Sequence, residues 1–160
     1  KFSDMLRCLS LGLFASAISL AALPAFADND FEFFTTPSKN IWCVIKRQDL
    51  PTKYIPLSVE CDVANHAWKE WIQGDHDGSH GNRFMIPGNG PAEAIGSSDT
   101  LVGSAGPVLQ YGSKLTFGDR PEDGTITCIS EKIGLTCTNT SGGLLHLNRE
   151  FYVLNKPVPR

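Results

Sequence analysis

No cluster of Lys and Arg in this 160-residue chain exceeds the Lys46-Arg47 pair, and the formal net charge is −3. A nucleic-acid backbone would find no basic stripe here, which argues against that class of partner. Helical patterning is nearly absent too, since no amphipathic run of ordinary helix length appears. A serine hydrolase of the Gly-x-Ser-x-Gly type is excluded because that elbow does not occur. Cysteines never fall at the close spacing of zinc frames such as C-x2-C. No internal repeat shows in the sequence. Beyond residue 23, no apolar run reaches the roughly 20 residues of a membrane helix.

What is present starts with a leader. Lys1 and Arg7 are basic, Leu9–Leu23 is an apolar run of small residues, and Ala25-Phe26-Ala27 is an A-x-A cleavage site before Asp28-Asn29-Asp30. Residues 1–27 are therefore expected to form a signal peptide and residues 28–160 one exported domain, periplasmic or secreted. The sequence begins without Met, so the leader is expected to start slightly upstream. Cys8 precedes the apolar run, which argues against a lipid-bearing cysteine. Cleavage removes Cys8 and leaves Cys43, Cys61, Cys128 and Cys137 in an oxidising compartment. No stable membrane span is expected after cleavage.

The remainder reads as short apolar runs between Gly- and Pro-rich turns, the pattern of an all-β domain. The expected fold is a small disulfide-stabilised antiparallel sandwich or partly open barrel with at most one short helix. Ile41–Ile45 is continuously apolar, as in a strand buried on both faces. Ser58–Val63 alternates, which predicts a half-buried strand with Val59, Cys61 and Val63 inward. Segments 47–57 and 88–106 read as polar loops. Ala64–Ile72 carries the one helical pattern, with Ala64, Ala67, Trp68, Trp71 and Ile72 on one side. Pairing Cys128 opposite Cys137 makes a hairpin of Thr125–Ser130 and Leu135–Asn139, with Gly134 supplying a positive φ in its turn.

Four cysteines allow three connectivities. Local geometry favours Cys43–Cys61 and Cys128–Cys137, the second across its own hairpin at a position where side chains approach closely. The alternative is a metal site of four thiolates, which the wide spacings and the leader argue against.

Candidate chemistry is sparse. Asp75-His76-Asp77-Gly78-Ser79-His80 is the densest set of metal-ligating types, with His76 and His80 four apart. Its glycines argue for a solvated turn, and a calcium loop would need a Glu where Ile86 stands. Trp68 and Trp71 suit either a binding surface or the core, and their spacing favours the core. His146, between Leu145 and Leu147, is read as a structural histidine. No catalytic set assembles and no cofactor is implied.

The segments Phe34-Thr35-Thr36-Pro37-Ser38-Lys39-Asn40-Ile41-Trp42-Cys43, Val59-Glu60-Cys61-Asp62-Val63 and Gly134-Leu135-Thr136-Cys137-Thr138-Asn139 carry a resemblance. They are similar to a family of small exported bacterial proteins with an F-x-S-P-S-G-N-I-x-C opening and a later G-L-T-C-x-N segment. That family has no known function, so the resemblance implies a fold and a compartment but no activity. Lys39 stands at the family's usual Gly, which implies a turn with less need of positive φ. Two functional classes follow from the residues. The first is a non-enzymatic exported β module binding a protein, an envelope component or a small ligand. The other is a metal-dependent hydrolase using Asp75, His76, Asp77 and His80.

Overall fold

The computed structural model describes residues 31–50, 53–68, 83–118 and 120–158. Two antiparallel sheets of five strands pack face to face without closing into a barrel. The first is β1 (Phe31–Thr35), β2 (Ile41–Leu50), β3 (Lys53–Val63), β4 (Arg83–Pro87) and β5 (Glu93–Ile95). The second is β6 (Lys114–Phe117), β7 (Ile126–Glu131), β8 (Gly134–Asn139), β9 (Leu144–Leu147) and β10 (Tyr152–Leu154). In each sheet the spatial order is the chain order, so both are simple meanders.

The two meanders repeat each other. In the first, Phe34, Cys43, Cys61, Phe84 and Ala94 lie directly opposite one another across β1 to β5. In the second, Leu115, Cys128, Cys137, Leu145 and Leu154 do the same across β6 to β10. All ten residues pack in the core between the sheets. Each row carries one disulfide between its second and third strands, Cys43–Cys61 and Cys128–Cys137. The four-thiolate alternative is thereby removed. By loop closure each bridge contributes about 3 kcal/mol. The sequence hides this repeat because the shared residues reduce to an Ile-x-Cys strand and an apolar-x-Cys strand, while the connections differ greatly in length.

The pairing of β7 with β8 follows the expected hairpin register, with Cys128 opposite Cys137 and Glu131 opposite Gly134. Gly134 has φ 141°, and a Cβ there would lie 2.3 Å from the carbonyl oxygen of Leu147. Three expectations need correction. Residues 47–50 and 53–57 are not loop, because β2 and β3 extend through them as paired strands, with a bulge between Lys46 and Gln48. Pro56 falls where that irregularity frees the backbone from donating. The described part of the helical pattern, residues 64–68, is not helical. Its backbone is taken up elsewhere: Ala64 N–H donates to the Asn40 carbonyl (2.8 Å) and Ala67 N–H to the Arg149 carbonyl (2.7 Å). A helix of two or three turns has too little intrinsic stability to resist that competition.

The third concerns β3, which is buried on both faces. Ser58, Glu60 and Asp62 point away from the core yet are nearly inaccessible. The buried Arg83 guanidinium forms a fork onto Asp62, through Nε–Oδ1 at 2.8 Å and Nη2–Oδ2 at 3.1 Å. Segment 97–101 covers the pair, with Leu101 N–H on Asp62 Oδ2 at 2.7 Å and Asp99 Oδ1 on Arg83 Nη1 at 3.0 Å. Buried charges persist only when paired this way.

Sheet edges are also covered. The free edge of β1 bonds to residues 107 and 109 through Thr35. At the opposite edge Asn155, with φ 56°, imitates a strand. Its carboxamide accepts from Ala92 N–H and donates to Ala92 C=O, both at 2.7 Å. Such cover removes a template for unwanted strand pairing.

Candidate binding cleft

Connectivity puts the β1–β2, β3–β4, β7–β8 and β9–β10 connections at one end of the stack. The β2–β3, β4–β5, β6–β7 and β8–β9 connections lie at the other end. Because the meanders repeat, each end is built from the same four kinds of connection. The ends nevertheless differ.

The β4–β5 end is stitched shut. Gly88 lies so close to the 3-10 turn at Pro121–Asp123 that a Cβ on it would sit 1.8 Å from the Asp123 carbonyl oxygen. Asn89 Nδ2 donates to the Glu122 carbonyl (3.1 Å), and the Tyr54 hydroxyl donates to Asp123 Oδ1. Asn139 Nδ2 donates to the carbonyls of Pro87 and Gly90 at 2.8 and 2.7 Å, while its Oδ1 accepts from Gly143 N–H at 2.7 Å.

At the opposite end the turns part around a cleft of about 640 Å³. One wall is the β1–β2 turn, Thr36 to Asn40. Another is the β7–β8 hairpin tip, Glu131 to Gly134. A third is the β9–β10 turn with Asn148, Arg149, Glu150 and Phe151, and Asn65, Tyr111 and Val158 also line it. Ile133 and Tyr111 are exposed there, at 62% and 41%.

The walls are rigid for identifiable reasons. Lys39 adopts φ 51°, so the turn does require the left-handed region that the Gly-to-Lys difference had suggested it could avoid. It is held there from both sides: Lys39 N–H donates to the Thr36 carbonyl (2.9 Å) and Trp42 Nε1 donates to the Lys39 carbonyl (3.0 Å). Asn40 locks the turn to the β3–β4 connection, its carboxamide exchanging two 2.9 Å bonds with the backbone of Asn65.

His146 forms part of the cleft's back wall and is almost wholly buried. Asn148 Oδ1 accepts the N–H groups of Glu150 and Phe151, both at 2.8 Å, which orients its amide nitrogen toward His146 Nε2 at 3.3 Å. Nε2 must therefore accept, and Nδ1–H donates to Thr136 Oγ1 at 2.8 Å. Burial lowers the histidine pKa, against a smaller raising effect of the Glu131 carboxylate. Both nitrogens are occupied in a neutral ring, the opposite of a poised general base.

The residues singled out from sequence fall elsewhere. Trp68 packs edge-on against Phe84 and Tyr152, at 6.3 and 5.7 Å between ring centroids, and does not line the cleft. Trp71, Asp75, His76, Asp77 and His80 lie outside the described residues. Among the described residues no three His, Cys, Asp or Glu side chains are placed to hold a metal, and no helix is long and apolar enough to cross a membrane. The cleft residues were missed because three turns far apart in sequence supply them. The available signals were Lys39 at a glycine position and Ile133 at a hairpin tip, where nothing in the turn asks for a large apolar side chain.

A family model described as a family of unknown function, DUF6636, matches residues 14–155. The chain belongs to that family. No curated protein and no solved structure matches it. The DUF6636 span takes in all ten strands of the described residues and both disulfides and ends at Asn155, the residue that ties β10 to Ala92. Of the cleft lining, Val158 alone lies beyond it.

Proposed function

We propose that this DUF6636 protein is an exported, non-enzymatic binding module that takes its ligand in the cleft between the β1–β2, β7–β8 and β9–β10 turns. The observation that carries this reading is the divergence, among the described residues, of two topologically equal ends, one stitched closed and the other parted around a cleft. The opening has the volume of sites that take small ligands or a few residues of a polymer, about 300–1,000 Å³. Two buried disulfides suit an oxidising compartment, in keeping with export by the 1–27 leader. The ligand would be an envelope component, a small molecule or a segment of a protein.

The test is amide-resolved NMR titration with soluble envelope polysaccharides, peptidoglycan fragments and short peptides. Saturable shifts confined to Thr36–Asn40, Glu131–Gly134 and Asn148–Phe151 support the reading. Saturable binding mapped to the closed end or an outer sheet face overturns it. Chemical turnover of a bound ligand that depends on a titrating acid–base pair does so too.

A further inference from the structure

We infer that the cleft recognises a singly charged carboxylate joined to a flat apolar group, with Lys39, Lys132 and Arg149 as its anion contacts. This rests on the binding-module reading above and names the chemistry of the ligand. Lys39, Lys132, Arg149, Glu131 and Glu150 all line the cleft, and none makes an ion pair among the described residues. Among the described residues, three cations against two carboxylates give the lining a charge of +1, on a chain whose formal charge is −3. A concave wall focuses such a local excess and draws in anions. A single positive excess matches a carboxylate better than a doubly charged phosphate.

The second observation is conformational. Lys39 occupies a left-handed backbone position, φ 51°, that a glycine would take without strain. Hydrogen bonds at its N–H and its carbonyl hold it there. Strain retained at one over-determined position is a mark of ligand clamps. What the lysine adds over glycine is an ammonium group at the cleft wall. The exposed Ile133 and Tyr111 side chains in the same lining supply apolar surface for a sugar face or an aliphatic or aromatic side chain.

The experiment uses four probes, each acid carrying one carboxylate: methyl galacturonide and its neutral methyl galactoside counterpart, and an N-acetyl dipeptide of neutral side chains with a free C-terminus and its amide. Affinities are read from the same NMR titrations, at low and at raised salt. At least one acid is expected to bind in the cleft roughly tenfold tighter than its neutral counterpart, the loss expected for one charge-assisted hydrogen bond. The advantage should shrink with salt. Which acid wins separates a saccharide source from a peptide source. Lys132→Gln and Arg149→Gln should each weaken the acid several-fold and leave the neutral probe unchanged. Lys39→Gly should weaken the acid while raising Tm, a combination that a purely structural lysine would not give. Equal cleft binding of acid and neutral probe overturns the carboxylate assignment and leaves the binding-module reading intact. Absence of any cleft shift with all four probes also overturns it, and the broader ligand panel then judges the binding module separately.

Discussion

Asn148 fixes the tautomer of His146. Its carbonyl oxygen is spent on the N–H groups of Glu150 and Phe151, so its amide nitrogen can only donate to the imidazole Nε2, 3.3 Å away. A proton on Nε2 would meet that donor head-on, and burial already disfavours imidazolium. In the unfolded chain the same ring takes a proton near its ordinary value of about 6.5. The folded state therefore binds fewer protons just below that value. Stability is full above about pH 6.5 and falls as pH drops toward the depressed folded value. Tm measured at constant ionic strength should decline through that window, and His146→Gln should flatten the decline. An unchanged slope in the variant would show that other groups carry it.

Lys39 yields a prediction of the opposite sign to most substitutions. A left-handed backbone costs a non-glycine residue about 1–2 kcal/mol. Glycine returns roughly half of that gain through the greater freedom of its unfolded chain. Lys39→Gly should therefore stabilise the fold by about 0.5–1 kcal/mol in urea unfolding. Lys39→Ala keeps the strain and should change stability by much less. If alanine and glycine behave alike, the backbone at this position is not under strain.

Much of the scaffold was legible because β structure leaves period-2 traces. The register of β7 and β8 follows from Cys128, Cys137 and Gly134, and local geometry favours the Cys43–Cys61 bridge among the three connectivities. Polar residues misled where they are buried. Ser58, Glu60 and Asp62 alternate like a solvent face, yet all three are buried: Arg83 and segment 97–101 cover Asp62, Lys46 and Arg83 meet Glu60, and nothing local in sequence announces that cover. The Ala64–Ile72 pattern failed over its described residues because contacts with Asn40 and Arg149 outweigh a weak local preference. The cleft was illegible for a related reason. Three turns separated by up to about a hundred residues build it, and their proximity depends on how the two sheets stack.

The Arg83 fork should dominate the energetics of the covered face. Removing the guanidinium with Arg83→Met leaves the buried Asp62 carboxylate without its cation, which costs about 3–5 kcal/mol. Lys46→Met removes a 2.7 Å contact to the buried Glu60 from a side chain that is one-third exposed; Arg83 Nη1 remains 3.8 Å from that carboxylate, so the cost should be smaller, about 1–2 kcal/mol. Denaturant unfolding of both variants checks the contrast. Hydrogen exchange should also show Leu101 N–H, which bonds to Asp62, losing protection in Arg83→Met. Comparable costs for the two variants would mean that the covered face is wetter than its geometry implies.

Gly88 tests the difference between the two ends on which the functional reading depends. A methyl group there would lie 1.8 Å from the Asp123 carbonyl oxygen, and both partners are backbone, so neither can swing aside. Gly88→Ala must push the β4–β5 turn away from the Pro121–Asp123 turn. It should also weaken the Gly88 N–H bond to the Leu57 carbonyl, now 2.7 Å. The expected cost is about 2–3 kcal/mol, at the upper end for overpacking. Gly103→Ala provides the comparison: a Cβ there meets nothing within 4 Å, and its φ of 92° leaves only backbone strain. That variant should cost about 1–2 kcal/mol and leave amide exchange at the closed end unchanged. If Gly88→Ala proves no costlier than Gly103→Ala, with Gly88 N–H still protected, the closed end has slack. The open cleft at the other end would then no longer stand out as the place where this fold diverged to bind something.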